Sequence, residues 1–64
     1  MVENDQLKQQ IIREYYEATM IDLAHGVPLD DIVNLMYHFE ALEEYEICAG
    51  IKRALDDIEK AKGN

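Results

Sequence analysis

The side chains that could bind a metal ion or act as nucleophiles are few, with two histidines and one cysteine in 64 residues. Asp22 and His25 are spaced i, i+3 and could share a helical face, but a metal site needs three or four converging ligands. Glu40 is too close in sequence to His38 for both to ligate side by side on a helix. Negative neighbours raise the pKa of a thiol, which opposes reactivity at Cys48. The sequence therefore predicts no metal site, no cofactor and a structural role for Cys48.

Carboxylates dominate the middle of the chain. No lysine or arginine occurs from Glu14 to Ile51, and all six basic residues lie outside this window. Paired carboxylates can do acid–base work, but so small a chain, without a glycine-rich phosphate loop, has little room for a closed pocket, and we predict no enzyme activity. The window should repel nucleic acid and anionic membranes and attract basic proteins; alternatively it is a solvated face that keeps a small protein from aggregating. Its carboxylates are Glu14, Glu17, Asp22, Asp30, Asp31, Glu40, Glu43, Glu44 and Glu46.

Four tyrosines accompany the acidic window. Adjacent Tyr15 and Tyr16 point about 100° apart on a helix, so both cannot be buried in the same seam. Tyrosine is favoured at interfaces because it has a large apolar body and a polar tip, although all four could instead pack internally with their hydroxyls in water. The partner-binding residues that we predict are Tyr15, Tyr16, Tyr37, Glu40, Glu43, Glu44 and Glu46.

Length and composition limit the class of protein. A chain of 64 residues is one domain of marginal stability, and small domains often gain support from a second subunit, so we expect a homodimer. One cysteine excludes an intrachain disulfide and is typical of a reducing compartment. The chain has no apolar run long enough to cross a bilayer, and its first residues are acidic and polar, unlike a secretory signal. We expect a cytoplasmic protein that contacts neither membrane nor nucleic acid.

The periodicity predicts a single all-α domain with helices at about 5–25, 29–42 and 44–62. Gly26 can end the first helix and Pro28 can start the second, and Asn4 or Asp5 is the expected N-cap of the first. Apolar residues recur at steps of three and four, as in amphipathic helices packed on a core. The expected core stripes are Leu7, Ile11, Tyr15, Ala18 and Ile21, widened by Ile12, Tyr16, Met20 and Leu23; then Ile32, Leu35 or Met36, Phe39 and Leu42; then Tyr45, Cys48, Ile51, Leu55 and Ile58.

The chain between Leu42 and Tyr45 leaves two architectures open, because it contains neither glycine nor proline. Residues 29–62 could form one long helix, which would need a partner helix from another chain to cover its apolar face. The alternative is a tight antiparallel hairpin that turns at residues 42–44, with the first helix packed across it.

Residues 36–55 favour the hairpin. This segment contains, in order, an acidic residue, an aromatic residue, a glutamate, a pair of small residues, an aliphatic residue and a basic pair. They are Glu44, Tyr45, Glu46, Cys48-Ala49, Ile51 and Lys52-Arg53. This pattern resembles the UVR motif, a short helical hairpin of excision-repair subunits and some protease adaptors. Gly50 and Ala54 depart from it. The resemblance implies a packed hairpin for protein–protein association, and neither DNA repair nor catalysis.

Two functions fit these features. The first is a small acidic interaction or regulatory module that binds a basic partner through an acidic and aromatic helical face. The alternative is an inhibitor of the phage type, which mimics nucleic acid and blocks a DNA- or RNA-binding protein. Binding by a mimic should weaken steeply with salt, whereas an interaction module should depend on its aromatic face.

Overall fold

Three helices and two short turns form the fold. The structure, a computed structural model, describes the backbone of residues 2–63 and the side chains of residues 5–63. The helices are α1 (Val2–Ala24), α2 (Leu29–Ala41) and α3 (Tyr45–Gly63), and the described chain contains no strand. The predicted all-α class is confirmed. The chain breaks between α2 and α3, so the alternative of one helix over 29–62 is wrong.

The first turn ends α1 as its glycine predicts. Gly26 adopts a φ of 88°, the left-handed region that glycine enters without a steric cost. The Val27 N–H donates to the Asp22 carbonyl at 3.0 Å, and the Gly26 N–H donates to the Leu23 carbonyl at 3.1 Å. These paired bonds are the Schellman motif, which satisfies carbonyls at a helix end. Pro28 then stands immediately before α2 in an extended conformation.

The second turn uses the same motif without a glycine. The Glu44 N–H donates to the Phe39 carbonyl and the Glu43 N–H to the Glu40 carbonyl, both at 2.9 Å. Glu43 takes the left-handed position, with a φ of 60°. The left-handed conformation is costly for a residue with a Cβ. The reversal between α2 and α3 is therefore held by hydrogen bonds that work against the preference of Glu43.

Helix α3 lies at the centre and packs against both other helices. Ile51 and Ala54 are completely buried on it, and Ile32 of α2 is buried against it. Helix α1 approaches most closely at Gly50, where a Cβ would lie 2.5 Å from the Ile12 carbonyl oxygen. The absence of a side chain at Gly50 thus allows α1 to pack directly on α3.

The start and the buried face of α1 differ from the prediction. The helix begins at Val2, so Asn4 and Asp5 lie inside it and neither is an N-cap, because nothing among the first residues stops a helix. The side that faces α3 carries Thr19, which is buried, and Tyr16. The contact at Gly50 fixes this rotation. It turns part of the predicted stripe, namely Leu7, Ala18 and Ile21, to the exposed side.

Two predicted core residues beside the second turn are also exposed. Leu42 and Tyr45 are 57% and 58% exposed. They flank Glu43 and Glu44, and the chain reversal at these residues moves both side chains past the end of the core. Of the two alternatives in α2, Met36 is half-buried and Leu35 is exposed.

Candidate functional site

The end of the α2–α3 hairpin combines exposed aromatic and aliphatic side chains with carboxylates. Tyr37, Leu42 and Tyr45 are each close to three-fifths exposed. Single exposed apolar residues are ordinary, but a group of them surrounded by charged residues is typical of binding surfaces. The residues that we name the turn surface are Tyr37, Glu40, Leu42, Glu43, Glu44 and Tyr45.

A shallow groove of about 250 Å³ continues from the turn surface between α2 and α3. Its size is below the usual range for small-molecule sites, and it fits one side chain of a partner better than a substrate. Tyrosines, a carboxylate and a lysine provide polar tips around an apolar floor. The groove is lined by Met36, Tyr37, Glu40, Tyr45, Cys48, Ala49 and Lys52.

Cys48 lies at the floor of this groove as a protonated thiol. Its Sγ donates to the Met36 carbonyl at 3.3 Å. Burial raises the pKa of the Cys48 thiol, and the negative charges of Glu40 and Glu44 raise it further. The pKa therefore moves in the direction predicted from the sequence. A raised thiol pKa opposes nucleophilic chemistry at neutral pH, so Cys48 contributes packing and a weak hydrogen bond.

Tyr15 and Tyr16 lie between helices and are not part of the turn surface. The Tyr15 ring packs edge-on against Phe39, with ring centroids 6.1 Å apart. The Tyr16 hydroxyl donates to the Asp57 carboxylate at 2.6 Å, and the Arg53 guanidinium lies 5.2 Å from the Tyr16 ring centroid. Both tyrosines thus have contacts inside the domain, and a role for them in partner binding stays a prediction.

The remaining predicted site residues divide between the turn and its flanks. Glu40, Glu43 and Glu44 are exposed at the turn, while Glu46 is half-buried in the first turn of α3. The positive end of the helix dipole stabilises a carboxylate at this position, which gives Glu46 a structural role. Leu42 and Tyr45 were missed as surface residues. The signal that could have found them is their position on either side of a chain reversal.

Within the described residues, neither histidine belongs to a cluster of possible metal ligands. His38 packs edge-on against Phe39, with ring centroids 5.6 Å apart. Among the described residues, no group of three or more histidine, cysteine, aspartate or glutamate side chains is arranged to hold a metal ion.

Two further recesses lie away from the turn surface. One, of about 660 Å³, is lined only by residues of α1 and is an open helix surface. The other, of about 350 Å³, is more apolar and lies between the start of α2 and the end of α3, where Leu29, Val33, Leu55 and Ile58 meet.

Comparisons with known proteins give no relative. No protein-family model matches the sequence, and neither a curated protein nor a solved structure matches it at a significant level. In the described part of the chain, no helix is both long enough and apolar enough to cross a membrane.

Proposed function

We propose that the protein is a non-enzymatic interaction module, cytoplasmic in location, that binds a basic protein through the turn surface. The observation that carries the proposal is the exposure of Tyr37, Leu42 and Tyr45 beside three carboxylates at the hairpin turn. No lysine or arginine occurs between Glu14 and Ile51. Lys52, which lines the adjoining groove, is paired with Asp56 at 3.1 Å. The likeness of residues 36–55 to the UVR motif supports the same class of function.

The two kinds of side chain have different roles in this proposal. Burial of the Tyr37 and Tyr45 rings supplies affinity, because tyrosines are frequent hot spots of protein interfaces. Glu40 and Glu44 flank the rings and speed the encounter with a positively charged surface, since charges at the rim of an interface act mainly on association rate. Tyr15 and Tyr16 act indirectly by holding α1 on the hairpin, Tyr15 through Phe39 of α2 and Tyr16 through Asp57 of α3.

The test is capture of a partner with three forms of the protein. Each form is immobilised on a resin and incubated with cell extract, and the retained proteins are identified by mass spectrometry. The three forms are the wild-type chain, Tyr37→Ala/Tyr45→Ala and Glu40→Lys/Glu44→Lys. The affinity of each retained protein is then measured in purified form over a range of salt concentrations. We expect the tyrosine variant to lose about tenfold or more in affinity. The charge variant should lose association rate and most of its salt dependence.

A matched control reverses two carboxylates elsewhere. Asp30→Lys/Glu59→Lys makes the same change in net charge on exposed positions at the far end of the hairpin, and it should retain the partner. Equal retention of a partner by all variants would contradict the turn surface as its binding site. Binding that falls steeply with salt but tolerates the loss of both tyrosines would instead favour the nucleic-acid mimic.

A further inference from the structure

Helix α1 has apolar residues on two faces, and only one of them is covered. The inner face, with Thr19 and Tyr16, packs on α3. On the outer face Leu7 and Ile21 are 57% and 56% exposed. We name as the outer row Leu7, Ile11, Ala18 and Ile21, of which Ile11 is half-buried and Ala18 exposed. A helix with apolar residues on two sides is typical of one that packs against two neighbours.

The spacing of the outer row is that of a helix that packs along another helix. With Glu14 included, its positions alternate in steps of four and three, which is the heptad spacing of paired helices. Leu7 and Ile21 lie fourteen positions apart, or about 21 Å along the axis. A two-fold axis at Glu14, midway between them, would place Leu7 of one chain opposite Ile21 of a second chain. The same axis brings the two Glu14 carboxylates together, a repulsion that the contacts on either side must outweigh.

We propose that a second copy of this chain covers the outer row, with the two α1 helices antiparallel. This interface goes beyond the interaction proposed for the turn surface, which lies at the end of the hairpin and is not used in it. A two-fold contact between identical faces closes on itself and gives a dimer.

Charge complementarity argues for a second copy and for its orientation. Lys8 follows Leu7 and Asp22 follows Ile21, so both charges flank the outer row on the same side. Antiparallel pairing brings Lys8 of each copy beside Asp22 of the other, twice per dimer by symmetry. In a parallel pair, Lys8 of one copy would lie about 21 Å along the axis from Asp22 of the other, so the two could not attract each other. Neither Lys8 nor Asp22 has an ion pair with another described residue of its own chain.

The rest of the charge distribution restricts where two copies can meet. Each chain carries a net charge of −8, so most approaches between copies are repulsive. The charges of α1 are uneven: Glu3, Asp5, Lys8 and Arg13 leave its first half neutral, whereas its second half carries three carboxylates, Glu14, Glu17 and Asp22, and no basic residue. Antiparallel pairing superposes the neutral half on the acidic half, whereas parallel pairing would superpose two acidic halves. Because the row contains few large side chains, the dissociation constant should lie in the micromolar range.

Sedimentation equilibrium over low micromolar to submillimolar concentrations tests the dimer. The wild-type chain should pass from monomer to dimer, and Leu7→Glu/Ile21→Glu should stay monomeric with its helicity unchanged, because both side chains are exposed. Leu42→Glu is the matched control: Leu42 is as exposed as Leu7 but lies on the turn surface, and this variant should dimerise like the wild type. A wild-type chain that stays monomeric throughout, or a dimer that survives Leu7→Glu/Ile21→Glu, overturns the proposal.

Charge exchange tests the orientation. In an antiparallel dimer, Lys8→Glu or Asp22→Lys alone turns two attractions into repulsions and should weaken self-association about tenfold. An equimolar mixture of the two variants restores both attractions and should associate as tightly as the wild type. In a parallel pair, neither charge lies beside its counterpart or beside the opposite charge of the other copy, so the single variants and their mixture should all associate like the wild type. Single variants as strong as the wild type would therefore overturn the antiparallel arrangement.

Discussion

Gly50 gives the sharpest test of how the helices pack. The Cβ of Gly50→Ala would meet the Ile12 carbonyl oxygen at 2.5 Å, the Tyr15 Cβ at 2.9 Å and the Tyr16 nitrogen at 3.0 Å. Two of these atoms belong to the backbone of α1 and cannot rotate away as a side chain can. Ordinary contact begins near 3.4 Å, so α1 and α3 would have to separate by about 0.9 Å.

The free energy of unfolding should fall even though alanine is the better helix former. Overpacking costs about 1–3 kcal/mol, and a backbone contact belongs at the upper end of that range. Alanine returns about 1 kcal/mol in helix propensity. The net loss is about 2 kcal/mol, against a total stability of roughly 3–10 kcal/mol for a domain of this length.

Urea unfolding followed by circular dichroism measures this loss, at protein concentrations low enough to keep the chain monomeric. Gly63→Ala is the control, because it makes the same change in the same helix and its Cβ would meet nothing within 4 Å. That variant should be as stable as the wild type or slightly more stable. If Gly50→Ala is also as stable as the wild type, the expected steric cost is missing, and the close approach of α1 to Gly50 does not exist in solution.

Two other residues give independent tests. Glu43→Gly should raise the free energy of unfolding by about 0.5–1 kcal/mol, because glycine relieves the left-handed strain and then loses part of that gain through its greater freedom when unfolded; the same urea titration measures it, and a less stable variant would contradict the left-handed turn. The pKa of Tyr16 is raised above its ordinary 10.0, first by the hydrogen bond to Asp57 and then by burial. The folded state therefore holds this proton more tightly, so its stabilising effect is complete below about pH 10 and lost as the pH rises through the folded pKa. Tyr16→Phe should remove that part of the alkaline loss of stability, whereas Tyr37→Phe on the exposed turn surface should leave it unchanged; identical profiles for all three proteins would contradict the role of the Tyr16 hydroxyl.

The helices were predictable where local chemistry and periodicity agree. Gly26 and Pro28 mark the first turn by residue type alone. Ile51 belongs to an apolar stripe of α3 whose spacing predicts burial in a core. The second turn was left open because its left-handed residue is Glu43, and glutamate gives no signal for that conformation. The backbone hydrogen bonds that Glu44 and Glu43 donate to the carbonyls of Phe39 and Glu40 stabilise this turn, and they form only when the chain has reversed.

The rotation of α1 could not be read from the sequence for a related reason. Apolar residues lie on both sides of this helix, and the inner face includes the polar Thr19, so periodicity alone does not single out the buried side. Gly50 decides which side of α1 is buried, but it is distant from α1 in the sequence. Considered alone, a glycine at this position indicates only a less stable helix. For the candidate site, the carboxylates at the turn were predictable as a charge pattern. The exposure of Leu42 and Tyr45 depends on where the chain turns.

The central position of α3 has a consequence for synthesis of the chain. Helices α1 and α2 pack mainly on α3 and much less on each other. Since α3 is the last of the three to leave the ribosome, the nascent chain cannot complete its core while only the first two have emerged. Their apolar faces stay uncovered during that interval, when unfinished chains are most prone to aggregate. The negative charge concentrated in this early portion would keep neighbouring nascent chains apart until α3 arrives.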